Sequence, residues 1–383
     1  MPEKKEINVC FIGANPYFEG GVGLYQKNLI EYLKKNNREI LSTVIWFGKE
    51  NKSFEIGGVK YIQIQNKFPY PLDQIIDNIK IIRYLKKNNF DIINTHALWG
   101  FWMKFYKKNK KQRLIHTYHG VTYEYFKVHL KRFNILKKII LSPMLLFSYV
   151  LEKPPVNKAD EIICVSEKVK NQLKNIYKSK REMNVLRTGV NLNEFKLRNK
   201  EDTRKKLNLD KEKLYGLYIG KGGYWIKGLD RAVKISQEIY KKNKNYRLIV
   251  IGAEKNKIKH LIEEDFIIYK EKVPREEISF YYNAADFLFY LSRYDGGAPT
   301  LVVSEAMASG CPIIFSKDSE QEIIEDNKNG IILTSFNEKD AKKIINITLD
   351  KRKKQNIINN SIKTIKELSI DKWGRKYLEI LVK

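Results

Sequence analysis

The chain has 383 residues, a formal net charge of +28 from 72 Lys and Arg against 44 Asp and Glu, and 43% apolar residues. The apolar share excludes a largely disordered chain, and at about 100–200 residues per domain the length predicts two domains. The charge suits phosphate-rich partners such as nucleic acid, anionic lipid or a sugar diphosphate, or else reflects a composition rich in Lys, Ile and Asn; no uncharged apolar stretch reaches the ~18–20 residues that span a bilayer.

Met-Pro-Glu-Lys-Lys-Glu at the start carries no signal-peptide core and leads into a strand predicted over Ile7–Gly13. A helix follows over Val22–Asn36, then strands over Asp91–Thr95, Arg113–Tyr118 and Glu161–Val165, with a helix from Glu167 and a short strand at Asn184–Leu186. A junction is expected near Thr188–Asn199, before the charge-dense Lys200–Lys213. The second half repeats the scheme, with strands at Leu214–Gly220, Tyr246–Gly252, Phe287–Leu291 and Pro312–Phe315, and helices at Leu229–Lys241 and Leu301–Ser309. Strands separated by helices of this length predict α/β domains whose parallel sheets are covered on both faces. The boundaries are 1–188 for the first domain and 189–366 for the second. In 367–383, Trp373, Tyr377 and Leu378 stand at helical spacing, which predicts a helix returning to the first domain. Cys10, Cys164 and Cys311 each sit in or beside an apolar run, far apart in sequence. They read as buried hydrophobes in a reducing cytoplasm and not as a disulfide or metal framework.

Four segments carry chemistry. Gly20-Gly21-Val22-Gly23 joins the first strand to its helix, where a close backbone and free helix N–H groups favour an anion. It is a poor nicotinamide site, because Gln26 replaces the third glycine of that fingerprint and the strand ending near Trp46–Phe47 lacks the ribose-binding acid. Gly220-Lys221-Gly222-Gly223-Tyr224-Trp225-Ile226-Lys227-Gly228 combines point charges with backbone donors, as a diphosphate requires. Its Lys-Gly ending is not that of a P-loop. Asp295 to Gly310 is a turn-rich loop leading into a helix that Thr300 caps and Gly310 ends, with Glu305 in an apolar element. A carboxylate placed there needs partners, such as two ribose hydroxyls, or else a salt bridge. His96 and His119 end two strands, where ligands of open parallel sheets bind; His119 is the stronger functional candidate of the two.

Residues 125–151 contain no acid but hold Lys127, Lys131, Arg132, Lys137 and Lys138 among aromatic and aliphatic side chains, with Pro143 as a break. The mixture suits a helix lying on an anionic membrane, or a buried helix with a solvated basic face.

Together these segments resemble the family-4 retaining glycosyltransferases of GT-B fold, in which two Rossmann-like domains with parallel sheets face a central cleft. The resemblance runs in order through the Gly20–Gly23 loop, Asn94-Thr95-His96, His119-Gly120, Val165-Ser166-Glu167, Thr188-Gly189-Val190-Asn191, Gly220 to Gly228, Ala285-Asp286, Glu305 to Gly310, and Glu322 to Gly330. It implies that Gly21, Val22 and Gly23 meet the donor diphosphate or transferred sugar, and that His119 hydrogen-bonds the sugar. It also implies that Lys221 and Lys227 hold the diphosphate, that Glu305 binds the ribose hydroxyls, and that the backbone of Ala298, Pro299, Thr300 and Leu301 faces sugar and phosphate. The family's first acid stands eight residues before the second; here that position is Gly297, so Asp295 is the nearest catalytic candidate. The resemblance implies no metal, and no Asp-x-Asp pair of a metal-dependent transferase occurs. The expected activity is retaining transfer of a hexosyl-type sugar from a nucleotide-diphosphate sugar to a glycan or lipid-linked acceptor, in cell-surface polysaccharide or glycoconjugate synthesis. A cytoplasmic enzyme is expected, touching the inner leaflet through 125–151. The alternatives are a sugar-nucleotide epimerase of the same fold and, more remotely, a basic nucleic-acid module, for which no fold signature occurs.

Overall fold

The apolar runs of the first half form β1 (Ile7–Ile12), β2 (Ile40–Gly48), β3 (Lys52–Ile56), β4 (Val59–Gln65), β5 (Ile92–His96), β6 (Arg113–Tyr118), β7 (Glu161–Cys164) and β8 (Asn184–Val185). They make one sheet in the order β3-β4-β2-β1-β5-β6-β7-β8. The computed structural model describes residues 6–17, 20–37, 39–68, 72–221 and 223–383; Met1 to Lys5 and Gly222, both used in reading the sequence, lie outside them. Contacts divide the chain into two units, Met1–Arg187 with Trp373–Lys383, and Thr188–Lys372.

Neighbouring strands of the first sheet run parallel except at one edge, where β3 is antiparallel to β4. That edge hairpin apart, the sheet is parallel as expected. Gly57-Gly58, both at positive φ, is a two-residue connection of the kind that closes a hairpin. The helix Gly21–Asn36 buries Tyr25, Gln26, Leu29, Ile30 and Leu33, residues three or four apart along one stripe.

The basic segment forms three helices, Thr122–Leu130, Ile135–Leu141 and Pro143–Lys158. Pro143 stands at the start of the third, where its missing N–H costs nothing. Glu152, 2% exposed, accepts from the N–H groups of Thr122 (2.7 Å) and Tyr123 (3.2 Å) and from the Tyr177 hydroxyl (3.0 Å). It thereby fixes the start of the helix Thr122–Leu130. The last helix, Ile370–Val382, buries Trp373 and Tyr377, and the Tyr377 hydroxyl bonds Asn94 on β5 and Thr117 on β6, each at 2.9 Å.

The second unit carries β9 (Leu214–Ile219), β10 (Tyr246–Ile251), β11 (Ile267–Lys270), β12 (Phe287–Tyr290), β13 (Ile313–Ser316) and β14 (Ile331–Leu333). Their order is β11-β10-β9-β12-β13-β14, parallel throughout. Alternate residues feed two cores, one on each face. Leu217, Ile249, Leu288 and Ile313 pack on one side; Tyr218, Leu248, Phe287 and Ile314 pack on the other. Asp286 ties outer elements to the sheet, accepting from Lys200 (2.5 Å), Arg204 (2.8 Å), Lys354 (3.0 Å) and the Tyr215 N–H (2.8 Å). Burial pushes its carboxyl up, but the neighbouring cations outweigh this and hold it at about 2, while burial and crowding push Lys200 down to about 8. The three cysteines are buried and free, and no helix among the described residues is long and apolar enough to cross a membrane.

Candidate functional site

In each sheet the chain reverses direction beside the central strand, β1 next to β5 in the first and β9 next to β12 in the second. Crevices beyond the carboxyl ends of such strands bind ligands in open α/β sheets. The Gly220–Gly228 loop leaves β9 and the Asp295–Thr300 loop follows β12, so both converge on the switch point of the second unit.

The first of these loops is held from below. Arg293 lies 4.2 Å over the Trp225 ring and pairs with both oxygens of Asp230 at 2.7 and 2.6 Å. Its N–H donates to the Ile226 carbonyl at 2.7 Å. Gly228 has φ +76, and a Cβ there would stand 2.0 Å from the Leu291 carbonyl oxygen, so glycine is what lets this loop close against the end of β12. Lys227 projects from it half-exposed, its Nζ 3.3 Å from Asp295 Oδ2; Lys221 is exposed.

Asp295 is engaged on several sides. It accepts from the Tyr290 hydroxyl, from Lys227 and from the Gly296 N–H at 2.8 Å. Gly297, where the family's first acid is expected, has φ +75, a region strained for any residue with a Cβ. The loop conformation therefore accounts for the missing acid. Ala298 and Pro299 are buried, and Thr300 and Leu301 are half-buried. Thr300 caps the helix Leu301–Ala308, its side chain 3.5 Å from the Val303 N–H. Gly310 ends it, with Cys311 N–H bonding Ala306 O and Gly310 N–H bonding Met307 O, the paired bonds of a Schellman cap.

Glu305 is 1% exposed. One of its oxygens accepts from Arg275 and the other from the Tyr282 hydroxyl at 3.0 Å. The partners that a buried carboxylate needs are thus partly present within the protein. Both stand on the helix Arg275–Ala284, seven residues and so two turns apart on one face. That spacing was legible in the sequence, but only as a face with no known counterpart. Arg275 also lies 4.7 Å over the Phe195 ring and 3.6 Å from Glu194.

In the first unit, Gly20 opens the helix Gly21–Asn36 in an extended conformation without a side-chain cap. A Cβ at Gly21 would meet nothing within 4 Å among the described residues. Val22 is half-buried and Gly23 buried. His119, half-buried at the end of β6, has its Nε2 3.2 Å from Nδ1 of His96 at the end of β5. Burial pushes His119 down to about 4 and His116 to about 3, and holds His96 well below the usual histidine range. All three rings are neutral at pH 7. Because their folded values lie below the unfolded one, the unfolded chain binds more protons below about pH 6.5. Stability is therefore present above pH 6.5 and drains as pH falls towards 4. We expect thermal melts to show a falling Tm already between pH 6.5 and 5, before ordinary carboxylates titrate; a Tm constant over that interval would contradict the neutral cluster.

The structure thus brings Lys227 to Asp295, Glu305 to Arg275 and Tyr282, and His119 to His96. The glycine loop and the histidines belong to one unit, the lysine loop and Glu305 to the other. Among the described residues no three His, Cys, Asp or Glu side chains converge as a metal site.

Two family profiles cover most of the chain. One described as Glycosyltransferase Family 4 matches residues 19–194, and one described as Glycosyl transferases group 1 matches residues 199–364. An alpha-monoglucosyldiacylglycerol synthase from Streptococcus pneumoniae is 28% identical over 251 residues, which are 61% of this chain and 54% of that protein, so the match spans about half of the relative's length. Sucrose-phosphate synthase from Thermosynechococcus elongatus superposes with a TM-score of 0.83 at 17% identity over 98% of both chains. The Anabaena protein HepE, solved in complex with UDP-glucose, superposes with a TM-score of 0.70 at 16% identity over 98% of this chain and 100% of that one.

Proposed function

The chain belongs to the group 1 glycosyltransferases of GT-B fold, and on that premise we propose that it moves a hexosyl-type sugar from a nucleotide-diphosphate sugar to a glycan or lipid-linked acceptor with retention of configuration. The observation that carries this reading is the second unit's switch point, where Lys227 and the buried carboxylate of Glu305 stand on neighbouring segments. A half-exposed ammonium suits a diphosphate as a point charge. A carboxylate suits two vicinal hydroxyls as an acceptor pair. The UDP-glucose bound by HepE supports such a donor, and the glucosyl lipid in the name of the Streptococcus relative supports a hexosyl donor and a lipid acceptor.

In the proposed reaction the bond from the sugar's anomeric carbon to the diphosphate oxygen breaks, and a bond to the acceptor oxygen forms on the same face. The acceptor's proton passes to the departing diphosphate. Lys227, Lys221 and the helix N-termini stabilise the charge that develops there, so transfer persists in a chelator. The test is an assay with UDP-, GDP- and ADP-sugars and a glycan or lipid acceptor, with the anomeric configuration of the product read by proton NMR. Inverted product overturns retention; free or epimerised sugar with no transfer overturns the reading.

Placement on the inner face of the membrane, in cell-surface glycan or glycoconjugate synthesis, belongs to the same proposal. In the helices Ile135–Leu141 and Pro143–Lys158, the side chains of Ile135, Leu136, Ile139, Ile140 and Leu146 are 63–72% exposed. Lys131, Arg132, Lys137 and Lys138 stand beside them in a segment without acids. An apolar face bordered by cations fits an anionic lipid surface. At ~1 kcal/mol per basic residue, neutralising those four is expected to weaken sedimentation with anionic liposomes by about two to three orders of magnitude. Binding that survives the change would contradict membrane docking.

A further inference from the structure

His96 and His119 end adjacent parallel strands, their rings tilted by 33° with centroids 5.4 Å apart, and Nδ1 of His96 lies 3.2 Å from Nε2 of His119. We propose that His96 is a positioning residue that fixes the tautomer of His119, so that His119 offers a protonated Nδ1, a hydrogen-bond donor, to an oxygen of the sugar substrate. This rests on the reading that His119 faces the transferred sugar.

Two neutral imidazoles carry one N–H each, so the pair has two arrangements. In the first, His119 Nε2–H donates to His96 Nδ1, and His96 carries its proton on Nε2. In the second, His96 Nδ1–H donates to His119 Nε2, and His119 carries its proton on Nδ1. His96 is 0% exposed, and its Nε2 has no hydrogen-bond partner among the described residues. The first arrangement therefore buries an unpaired N–H donor, while the second leaves only a lone pair there. Orphaned buried N–H groups are the rarer kind, because donors without acceptors lose all their hydration. The second arrangement wins. Burial keeps both rings neutral at pH 7, so neither escapes the choice by taking a second proton.

The surroundings hold the pair still. Ala97, the residue after His96, has φ +49, a left-handed conformation that is costly for alanine and is tolerated where a neighbour must be aimed. Tyr25, 1% exposed, stands edge-on to His119 at 4.6 Å and 88°, and 5.7 Å from His96. Trp373 of the last helix backs Tyr25 at 4.8 Å. His119 then acts as a donor to a sugar oxygen and takes no proton from the acceptor, consistent with departing diphosphate as the base.

The test is nitrogen NMR of the free, full-length protein labelled with 15N-histidine at pH 7, with His119 assigned from the resonances lost in His119→Gln. The expected spectrum shows His119 protonated at Nδ1 and bare at Nε2. In His96→Leu the proton moves to Nε2, and kcat falls about tenfold with little change in donor KM. His96→Asn, whose amide N–H stands near the Nδ1 position, restores both. A wild-type His119 protonated at Nε2, or a tautomer unchanged in His96→Leu, overturns the proposal. Normal transfer by His119→Ala, with the expected tautomer in the wild type, overturns instead the reading that His119 meets the sugar.

Discussion

Replacing Glu305 with Gln is expected to abolish measurable transfer and to weaken nucleotide binding about 10- to 100-fold, while the second unit remains folded. Hydrogen bonds to a charged group contribute ~1.5–3 kcal/mol, and the amide retains the shape of the carboxylate but not its charge or its second acceptor. Arg275 survives the change because its side chain is 33% exposed and already lies 3.6 Å from Glu194. Glu305→Ala is the harsher variant. It empties a site that is 1% exposed and strands the buried Tyr282 hydroxyl, while Arg275 keeps only Glu194 and solvent, and an unsatisfied buried polar group costs ~1–3 kcal/mol. Part of its loss of activity would then be loss of fold. The Gln variant separates the two effects, and titration calorimetry with UDP, GDP and ADP reads the first. Ribose hydroxyls must share Glu305 with Arg275 or displace it, so a 2′-deoxynucleotide should bind the wild type more weakly and lose less than the parent nucleotide on Glu305→Gln. Equal binding by wild type and Glu305→Gln would remove Glu305 from the site.

Lys227 and Asp295 are expected to give opposite results. Lys227→Ala should lower kcat/KM about 10²- to 10³-fold, the usual cost of removing a donor aimed at developing charge. Asp295 holds the lysine at 3.3 Å and competes for it with any phosphate. The lysine is 40% exposed, so solvent screens the pair, and such pairs contribute at most ~1 kcal/mol. Asp295→Asn should therefore tighten diphosphate binding by up to about fivefold and leave turnover within a small factor of the wild type. A fall in kcat of several orders of magnitude for Asp295→Asn, with donor affinity unchanged, would assign Asp295 to the reacting centre and end its reading as the counter-ion of Lys227. Both variants are read from initial rates at saturating and limiting donor.

The sheets were legible in the sequence because each inner strand is an apolar run bounded by turn residues. Arg113–Tyr118 and Leu214–Ile219 declare themselves in this way. The hairpin Lys52–Ile56 with Val59–Gln65 did not, because an edge strand half in water mixes polar and apolar residues and forms no continuous apolar run; the Gly57-Gly58 pair between Ile56 and Val59 was its one signal. The Lys-Gly pair at 227–228 and the helix carrying Glu305 were legible as motifs. What surrounds them was not. Arg275, Tyr282 and Arg293 reach the site from other segments, and no periodicity links a residue to a partner 30 or 68 positions away. The missing acid at Gly297 was a bare departure in the sequence; a φ of +75 gives it a steric cause. Glu152 stood at the edge of the basic segment as one more charge, and only the fold shows it holding the N–H groups of Thr122 and Tyr123.

The most direct test of the nucleotide-sugar site in the second unit is a thermal melt of the wild-type protein with UDP, GDP and ADP, each alone and with its sugar attached. A ligand bound only by the folded state at 100 times its Kd adds ~2.7 kcal/mol, enough to raise Tm by several degrees. At least one nucleotide is expected to give such a shift, and Glu305→Gln to remove most of it. No shift with any of the three, at millimolar ligand and in a protein shown to be folded, would contradict it.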